Sequence, residues 1–381
     1  MALPGNEVRA QGGGLKDTFG KIEFPKLFKR NQDTLEETAQ APDGPGGLCL
    51  LPNGDFIISC HPFFDPEYRV MRLTRDGKWK AFPNLQMNVP GSGASPGEEL
   101  DSVVGICCDE KGVVWMLDNG SRSETQEKIV GWDSKRNELQ QIIPIFAVRK
   151  TSFLRNITLD PNHPFAYISD PAGGDDAAII VVNLSNGRSR RVLEGHESVR
   201  PQRGVGIQLD GKFVEVKRAD GGKTDFLSGV SALAVDRKGT WLYYGPRDGT
   251  TLFRIRTDLL RDAALSPDSL KTQVKGFSVK PICDSIAIDS KNNVYFTDIA
   301  RGSIDYVTPE DDYLNLHLLV QDPRIVWPGG LKFGDDGRLH FFSNQLHRTK
   351  IFNSGKDVTE PPFYLFSVKP LSTRFLGGIG N

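Results

Sequence analysis

The chain has 381 residues, of which 38% are hydrophobic and 25% charged, so it is long and apolar enough to bury a full core. Its 47 basic and 48 acidic residues leave a net charge of -1, which gives no electrostatic reason to expect a nucleic-acid partner or an anionic membrane surface. No apolar run approaches the length of a membrane span. The 40 glycines and 24 prolines are typical of a turn-rich β protein.

The N-terminal segment is polar and glycine-rich and lacks an apolar core of signal-peptide length. We interpret residues 1–20 as a flexible segment and residues 21–381 as a single domain. We predict that the five cysteines are small, buried hydrophobic residues in strands. The alternative is one disulfide between neighbouring segments. Two sequons, at Asn156 and Asn183, would suit a secretory protein that has lost its signal, and the alternative is a cytoplasmic protein.

A strand–turn–strand pattern that ends in a polar residue recurs six times along the chain. The copies occupy residues 48–62, 103–120, 153–174, 230–250, 282–300 and 327–348. Each gap between copies has room for two more alternating strands. Six units of four antiparallel strands predict an all-β fold, the six-bladed β-propeller.

Both ends of the chain are predicted to contribute to the closing blade. Residues 361–370, PPFYLFSVKP, form a strand pattern, and residues 20–45 would supply another strand that latches the ring. Helical patterns are absent apart from one turn near Pro267–Leu270. The loop at 90–99, PGSGASPGEE, lacks the Gly-Lys-Ser/Thr of a P-loop, and we interpret it as a lid over the central funnel.

Polar residues at the strand ends indicate where a site would form. In an antiparallel hairpin the start of the first strand and the end of the second meet at one face, so Asn156 should lie near Asp170, and Asp284 near Asp298. A ring of such residues would surround the mouth of the channel. Each residue taken alone is equally well explained as a turn cap, because Asp, Asn and Ser side chains accept backbone N–H groups.

Two sets of residues are predicted to form the site. The catalytic candidates are Asp118, Asn119, Asp170, Arg247, Asp298, Asn344 and His347. The substrate-binding candidates are His61, Phe63, Phe64, Asn156, Asp284 and Trp327. Three chemistries fit them: a hard cation such as Ca²⁺ on oxygen ligands, acid–base catalysis by histidine, or polarisation of a carbonyl by hydrogen-bond donors. The sequence has no zinc-type histidine spacing.

The blade sequences resemble the yellow / major royal jelly protein family, including its microbial members. The similarity rests on GVVWMLDNG, AYISDPAGG, LYYGPRDGTTLFRI, VYFTDIARGSI and FFSNQLHR, which occur in the family's order. The resemblance implies a six-bladed propeller and, often, secretion. It does not imply one function. Some members are linked to dopachrome tautomerisation, some bind small amines and some are nutritional, while similar fungal proteins are hetero-Diels–Alderases that join a quinone-methide-like diene to a terpene alkene.

A more distant similarity is to the gluconolactonase and regucalcin propellers, which hold a divalent metal with a Glu, two Asn and an Asp at strand starts. Asn156 and Asp284 match two of these positions. DGPGG replaces the Glu of the first blade, and Ser228 or Ser231 stands where the second Asn is wanted. Because half of the ligands are missing, a metal-dependent lactonase is not the main hypothesis but an alternative to it.

The main hypothesis is an enzyme of secondary metabolism that binds a conjugated carbonyl or quinone-methide-like substrate and promotes hetero-Diels–Alder cyclisation or tautomerisation. We expect it to need no cofactor, with a bound divalent cation such as Ca²⁺ as the alternative. The competing hypothesis is a secreted, non-catalytic amine carrier, whose counter-charge would be Asp118, Asp170, Asp284 and Asp298. The expected partner is a small molecule, with no nucleic acid and no membrane span, and the oligomeric state is left open.

Overall fold

The computed structural model describes residues 32–373, except 90, 96, 173, 210 and 218–221. Its strands form six four-stranded antiparallel sheets, and the first strand of each sheet lies beside the first strand of the next. The predicted six-bladed propeller is therefore confirmed. The segment 1–20, predicted to be flexible, lies outside the described residues.

The strands are numbered in chain order, beginning with β1 (Glu36–Ala41). Blade 1 contains β2 (Pro45–Leu50), β3 (Phe56–Cys60), β4 (Val70–Leu73) and β5 (Trp79–Ala81). Blade 2 contains β6 (Val103–Cys108), β7 (Val113–Asp118), β8 (Lys128–Asp133) and β9 (Glu138–Pro144). Blade 3 contains β10 (Ile157–Leu159), β11 (Phe165–Asp170), β12 (Ala178–Asn183) and β13 (Ser189–Val192).

Two small hairpins follow blade 3: β14 (Gln208–Leu209) with β15 (Lys212–Phe213), and β16 (Glu215–Lys217) with β17 (Lys223–Asp225). Blade 4 contains β18 (Val230–Val235), β19 (Trp241–Pro246), β20 (Thr251–Arg256) and β21 (Lys275–Val279). Blade 5 contains β22 (Cys283–Ile288), β23 (Val294–Asp298), β24 (Ser303–Val307) and β25 (His317–Gln321). Blade 6 contains β26 (Pro328–Phe333), β27 (Leu339–Ser343), β28 (Phe363–Val368) and β1.

The described helices are short and peripheral to the blades. They are α1 (Leu85–Asn88), α2 (Thr257–Arg261) and α3 (Pro267–Lys271). The last of these is the turn predicted near Pro267. It begins with Ser266, whose side chain accepts the N–H of Ser269, and with proline in the first turn. No described helix has the length and apolar character needed to cross a membrane.

The ring closes through blade 6, as the sequence predicted. Strand β1 pairs antiparallel with β28, from Glu36 opposite Ser367 to Ala41 opposite Phe363. The two ends of the described chain therefore share one sheet, and the first and last blades cannot separate without breaking its hydrogen bonds. Between neighbouring blades the sheet faces pack apolar side chains, as where Tyr167 of blade 3 meets Leu242 of blade 4.

All five cysteines lie within the described part of the chain and are free thiols. Burial raises the pKa of Cys107 to about 12, so this thiol stays protonated at neutral pH. The placement of the cysteines agrees with the prediction that they are small hydrophobic residues of the strands. No disulfide links these segments in the structure.

The inner strands of five blades share an irregularity near their first residues. A β-bulge falls at or beside Gly46, Val104, Ser231, Asp284 and Gly330, and in blade 3 Asn156 directly precedes the short strand β10. A bulge leaves a residue out of the pairing and turns its side chain away from the regular pleat. The residue at this position therefore decides what each blade contributes to the centre of the ring.

Candidate active site

The carboxylates that end the second strands of blades 2 and 3 cap their own blades. Asp118 accepts the backbone N–H of Asp101 at 2.9 Å. Asp170 accepts the N–H of Phe153 at 3.0 Å and pairs with Arg191 at 2.6 Å. Burial raises the pKa of Asp118, although the backbone N–H groups that donate to this carboxylate oppose the shift. These contacts are those of turn caps, so the catalytic role predicted for Asp118 and Asp170 remains a prediction without a supporting contact.

Two predicted hydrogen-bond donors join neighbouring blades. Asn119 donates through Nδ2 to the carbonyl of Leu154 at 3.3 Å, across the junction of blades 2 and 3. Asn344 donates in the same way to the carbonyl of Pro45 at 2.8 Å, across the junction of blades 6 and 1. Both asparagines directly follow the second strand of their blade. Their amide groups are therefore engaged in holding the ring together.

The carboxylate that ends β23 belongs to a buried acidic pair. Asp298 accepts the backbone N–H of Arg301 at 2.9 Å, and the Arg301 side chain reaches Asp305 at 3.0 Å. Ser303 also donates to Asp305, at 2.8 Å. Burial and the neighbouring Asp298 raise the pKa of Asp305 to about 7. The pair therefore holds a proton up to neutral pH, because two buried carboxylates so close together cannot both ionise cheaply.

At the centre, the side chain of Asp284 accepts hydrogen bonds from residues of three other blades. Arg155 of blade 3 donates through Nη2 at 2.7 Å, and Trp327 of blade 6 donates through Nε1 at 3.0 Å, both to Oδ2. Ser231 of blade 4 donates to Oδ1 at 3.0 Å. Burial would raise the pKa of Asp284, but the guanidinium groups of Arg155 and Arg247 outweigh it and the pKa is lowered. Asp284 is therefore a carboxylate held ionised inside the ring.

Asn156 ties this cluster to the backbone. Its Nδ2 donates to the main-chain carbonyls of Ser231 at 2.9 Å and Asp284 at 3.1 Å. The structure thus brings together three residues that the sequence singled out, from blades 3, 4 and 5. Arg155 was missed. A charged residue directly before a buried strand and beside Asn156 was the available signal, and it was not used.

Trp327 has a strained backbone. Its φ is 53°, in the left-handed region that a bulky residue rarely adopts, and the side chain is 1% exposed. The hydrogen bond to Asp284 and a stack on His347, with ring centroids 5.8 Å apart, fix this arrangement. Strain of this kind persists only where the surroundings over-determine it, and it is concentrated at functional sites.

His61 is fully buried. Burial, followed by the charge of Arg155, lowers the pKa of this imidazole well below its usual range, so the ring is neutral. Its Nδ1 accepts the backbone N–H of Phe63 at 3.2 Å, which assigns the single ring proton to Nε2. Nε2 has no hydrogen-bond partner among the described residues. His61 therefore offers a buried N–H donor that has no acceptor in the described part of the chain.

Aromatic rings surround this centre. His61 lies with its ring centroid 4.6 Å from Phe63 and 6.4 Å from Phe153. The rings that form this aromatic wall are Phe63, Phe64, Phe153, Phe226, Trp327, His347 and Phe352. The predicted wall residues Phe63, Phe64 and Trp327 belong to it. The three others that were not predicted come from loops, where no strand pattern marks which face a side chain takes.

Arg247, predicted as a catalytic donor, anchors a loop. Its guanidinium pairs with Asp248 at 2.7 Å, lies 4.2 Å over the ring of Phe226 and donates to the carbonyl of the same phenylalanine. The side chain is 1% exposed. Most of its donors are therefore already used, and its remaining contribution to the centre is electrostatic, through Asp284.

The hairpins after blade 3 cover the centre. Ile207 is 2% exposed and packs in a cluster with Ile299, Trp327 and Leu346. The loop predicted as a lid lies elsewhere, because Ala94 packs against the core of blades 1 and 2. In its described part this loop is also held by Lys128, which donates to two of its carbonyls.

An open cleft reaches the covered centre from the side of blades 5 and 6. Its volume is about 530 Å³. Trp327 and His347 form part of its wall, together with Leu209 of the covering hairpin. The stack of Trp327 on His347 therefore separates the cleft from the carboxylate of Asp284.

The strand-start residues do not fit a divalent cation. Both carboxylate oxygens of Asp284 already accept hydrogen bonds, and the cationic Arg155 is 2.7 Å from one of them. Blade 1 contributes Gly46 at the equivalent bulge, with no side chain to coordinate a metal. Within the described residues no group of three or more His, Cys, Asp or Glu side chains could hold a metal ion. The alternative of a bound Ca²⁺ finds no support in this donor set.

Comparisons with known proteins agree with the fold. The family model for the major royal jelly proteins matches residues 101–365. No curated protein sequence matches the chain at a significant level. Among solved structures, a gluconolactonase from Xanthomonas campestris is 11% identical, with a TM-score of 0.52 over 88% of each chain. A PQQ-bound aldose sugar dehydrogenase from Streptomyces coelicolor is 13% identical, with a TM-score of 0.53 over 88% of this chain and 97% of the other. A luciferin-regenerating enzyme is 11% identical, with a TM-score of 0.54 over 90% and 97%. At these identities the structures share the propeller fold.

Proposed function

The chain belongs to the major royal jelly protein family, and from that premise we propose that it is a small-molecule enzyme acting at the centre of its propeller. Its substrate would be a conjugated carbonyl or quinone-methide-like compound. The reaction would be a cyclisation of the hetero-Diels–Alder type or a tautomerisation. Neither reaction needs a protein nucleophile, and both place partial negative charge on an oxygen conjugated to the reacting atoms.

The observation that carries this proposal is the donor on His61. A buried N–H without an acceptor costs about 1–3 kcal/mol, which an oxygen from a ligand would recover. Arg155 lies close enough to lower the pKa of His61, and no described residue accepts from its Nη1. In this proposal the two groups would direct a neutral and a charged donor at one oxygen of the substrate. Donors held in place before the reaction stabilise charge that develops in the transition state.

The aromatic wall supports the choice of a flat, conjugated substrate. Phe63 and Phe153 lie beside His61, with their ring centroids 5.9 Å apart, and Trp327 forms part of the wall of the cleft. Such rings stack on a planar ligand and hold it in one orientation. Holding two reacting ends in alignment can lower a barrier by about 7–11 kcal/mol. The substrate would enter through the cleft and displace the apolar cover around Ile207.

The two alternatives have less support from the same contacts. An amine carrier would need free counter-charge, but Asp118 and Asp170 are turn caps and Asp284 is paired with Arg155. A metal-dependent lactonase would need a divalent cation at Asp284, where the donor set does not fit one. The contacts of these carboxylates therefore favour the enzyme hypothesis over both alternatives.

Turnover assays test the proposed function directly. The protein would be incubated with dopachrome and, separately, with a quinone-methide precursor and an alkene, and the products followed by chromatography. We expect at least one substrate to be consumed faster than in buffer. If neither is accelerated while small amines bind with one-to-one stoichiometry, the carrier hypothesis replaces this proposal.

A further inference from the structure

We infer that Arg155 is a built-in cation that takes the place on Asp284 which a divalent metal would need, so that the centre of this propeller is independent of metal. The guanidinium and the carboxylate are 2.7 Å apart, with side chains 10% and 4% exposed. The inference concerns ion binding and does not rest on the proposed activity.

The ligand geometry around Asp284 is that of a paired anion. Its Oδ2 accepts from both Arg155 and Trp327, and its Oδ1 accepts from Ser231. Asn156 turns its Nδ2 donor towards the carbonyl of Asp284. Donor hydrogens therefore point at the carboxylate from several sides, whereas a hard cation needs oxygen lone pairs directed at a common point.

The residue types at these positions are nevertheless those of an oxygen-ligand site. Asn156 directly precedes the first strand of blade 3, and Ser231 and Asp284 are the second residues of the first strands of blades 4 and 5. Two of them carry an amide or carboxylate oxygen, and the third carries a hydroxyl. What opposes a divalent cation is the charge of Arg155, because like charges a few ångströms apart in a buried site repel strongly. Removing that charge should let the remaining oxygens recruit a cation.

Isothermal titration calorimetry with CaCl₂ and MnCl₂ tests this inference on purified protein. We expect no binding by the wild type or by Arg155→Lys, which keeps the charge. The double variant Arg155→Ala with Ser231→Asn should bind at least one of these ions, about tenfold or more tightly than the same variant carrying Asp284→Asn, because the repelling charge is gone and an amide oxygen is added. Adding Asp284→Asn to that double variant should abolish the gain.

Arg191→Ala is the matched control. It removes the arginine from a second buried pair, with Asp170 at 2.6 Å, whose carboxylate is otherwise bound by backbone N–H groups and the hydroxyl of Ser152. No gain in cation binding is expected there.

Two results would overturn the inference. One is binding of either ion by the wild type that disappears in Asp284→Asn. The other is a folded double variant that binds no more tightly than the same variant carrying Asp284→Asn. If the double variant fails to fold, the wild-type and Arg155→Lys titrations still decide the matter, because binding by either protein that Asp284→Asn abolishes contradicts the assigned role.

Discussion

Two positions at the same face of each blade carry polar residues, and they serve different purposes. At the ends of the second strands, Asp118 and Asp170 accept backbone N–H groups of their own blade, and Asn344 donates to the next blade. At the starts of the first strands, Asn156 and Asp284 bond across several blades and meet at the centre. In blade 5 the difference arises from the bulge at the first-strand start, which takes Asp284 off the regular pleat, and in blade 3 Asn156 lies just before the strand.

His61 is the informative exception to this division. It directly follows a second strand, as Asn119 and Asn344 do, but its Nε2 has no partner among the described residues, whereas both asparagines donate to a neighbouring blade. We therefore propose that His61 faces the substrate, whereas the two asparagines serve the ring. Variants at the two positions should therefore differ in how much stability and how much turnover they lose.

Asp284→Asn should have the largest effect on stability. It leaves the guanidinium of Arg155 buried without its carboxylate, which costs about 3–5 kcal/mol of the free energy of unfolding. Urea denaturation measures the loss. Asp258→Asn is the control, since it breaks an exposed pair with Arg256 and should cost at most about 1 kcal/mol. Equal losses in the two variants would refute the central role of Asp284.

His61→Phe should lower turnover of the substrate found in the assays by about 10²–10³-fold, because one donor to the developing oxyanion is lost. The fold should survive, since a buried polar ring is replaced by an apolar one of similar size. His163→Phe, at an exposed turn position, is the matched control and should leave turnover unchanged. Unchanged turnover in His61→Phe would remove His61 from the site.

The acidic pair predicts a pH dependence of stability. The folded-state pKa of Asp305 is raised to about 7, so between about pH 4 and pH 7 the folded chain holds a proton that the unfolded chain has released. This contribution to stability therefore decreases as pH rises through that window. Between pH 5 and pH 8 the wild type should lose about 1–3 kcal/mol more than Asp305→Asn, as measured by urea denaturation. Parallel profiles for the two proteins would show that Asp305 is not perturbed.

The smallest effect is expected at a blade junction. Asn344→Ala removes the hydrogen bond to the carbonyl of Pro45 and should cost about 1 kcal/mol of the free energy of unfolding. Turnover should not change, because this amide serves the ring and not the substrate. A loss of activity without a comparable loss of stability would return Asn344 to the catalytic set.

The sequence predicted the fold well because the pattern repeats. Each hairpin alternates and turns in the same way, so six copies reinforce one another, and the latch by residues near β1 follows from the need to close the last sheet. The sequence also predicted that Asn156 and Asp284 share one face, and the structure brings them together there, while their role in a site stays a prediction. The alternation of apolar and polar residues along a strand does not show which side chain a bulge redirects. It also cannot show that Arg155 pairs with Asp284, 129 residues further along the chain.

The central claim is that His61 and Arg155 together bind a conjugated carbonyl oxygen. The most direct measurement is the infrared spectrum of tropone bound to the wild type and to the variants His61→Phe and Arg155→Met, with carbon-13 in the carbonyl to isolate its stretch. We expect the stretch to move to lower frequency in the wild type than in buffer, and each variant to reverse part of that shift. A wild-type frequency that equals that of His61→Phe and Arg155→Met would contradict the claim.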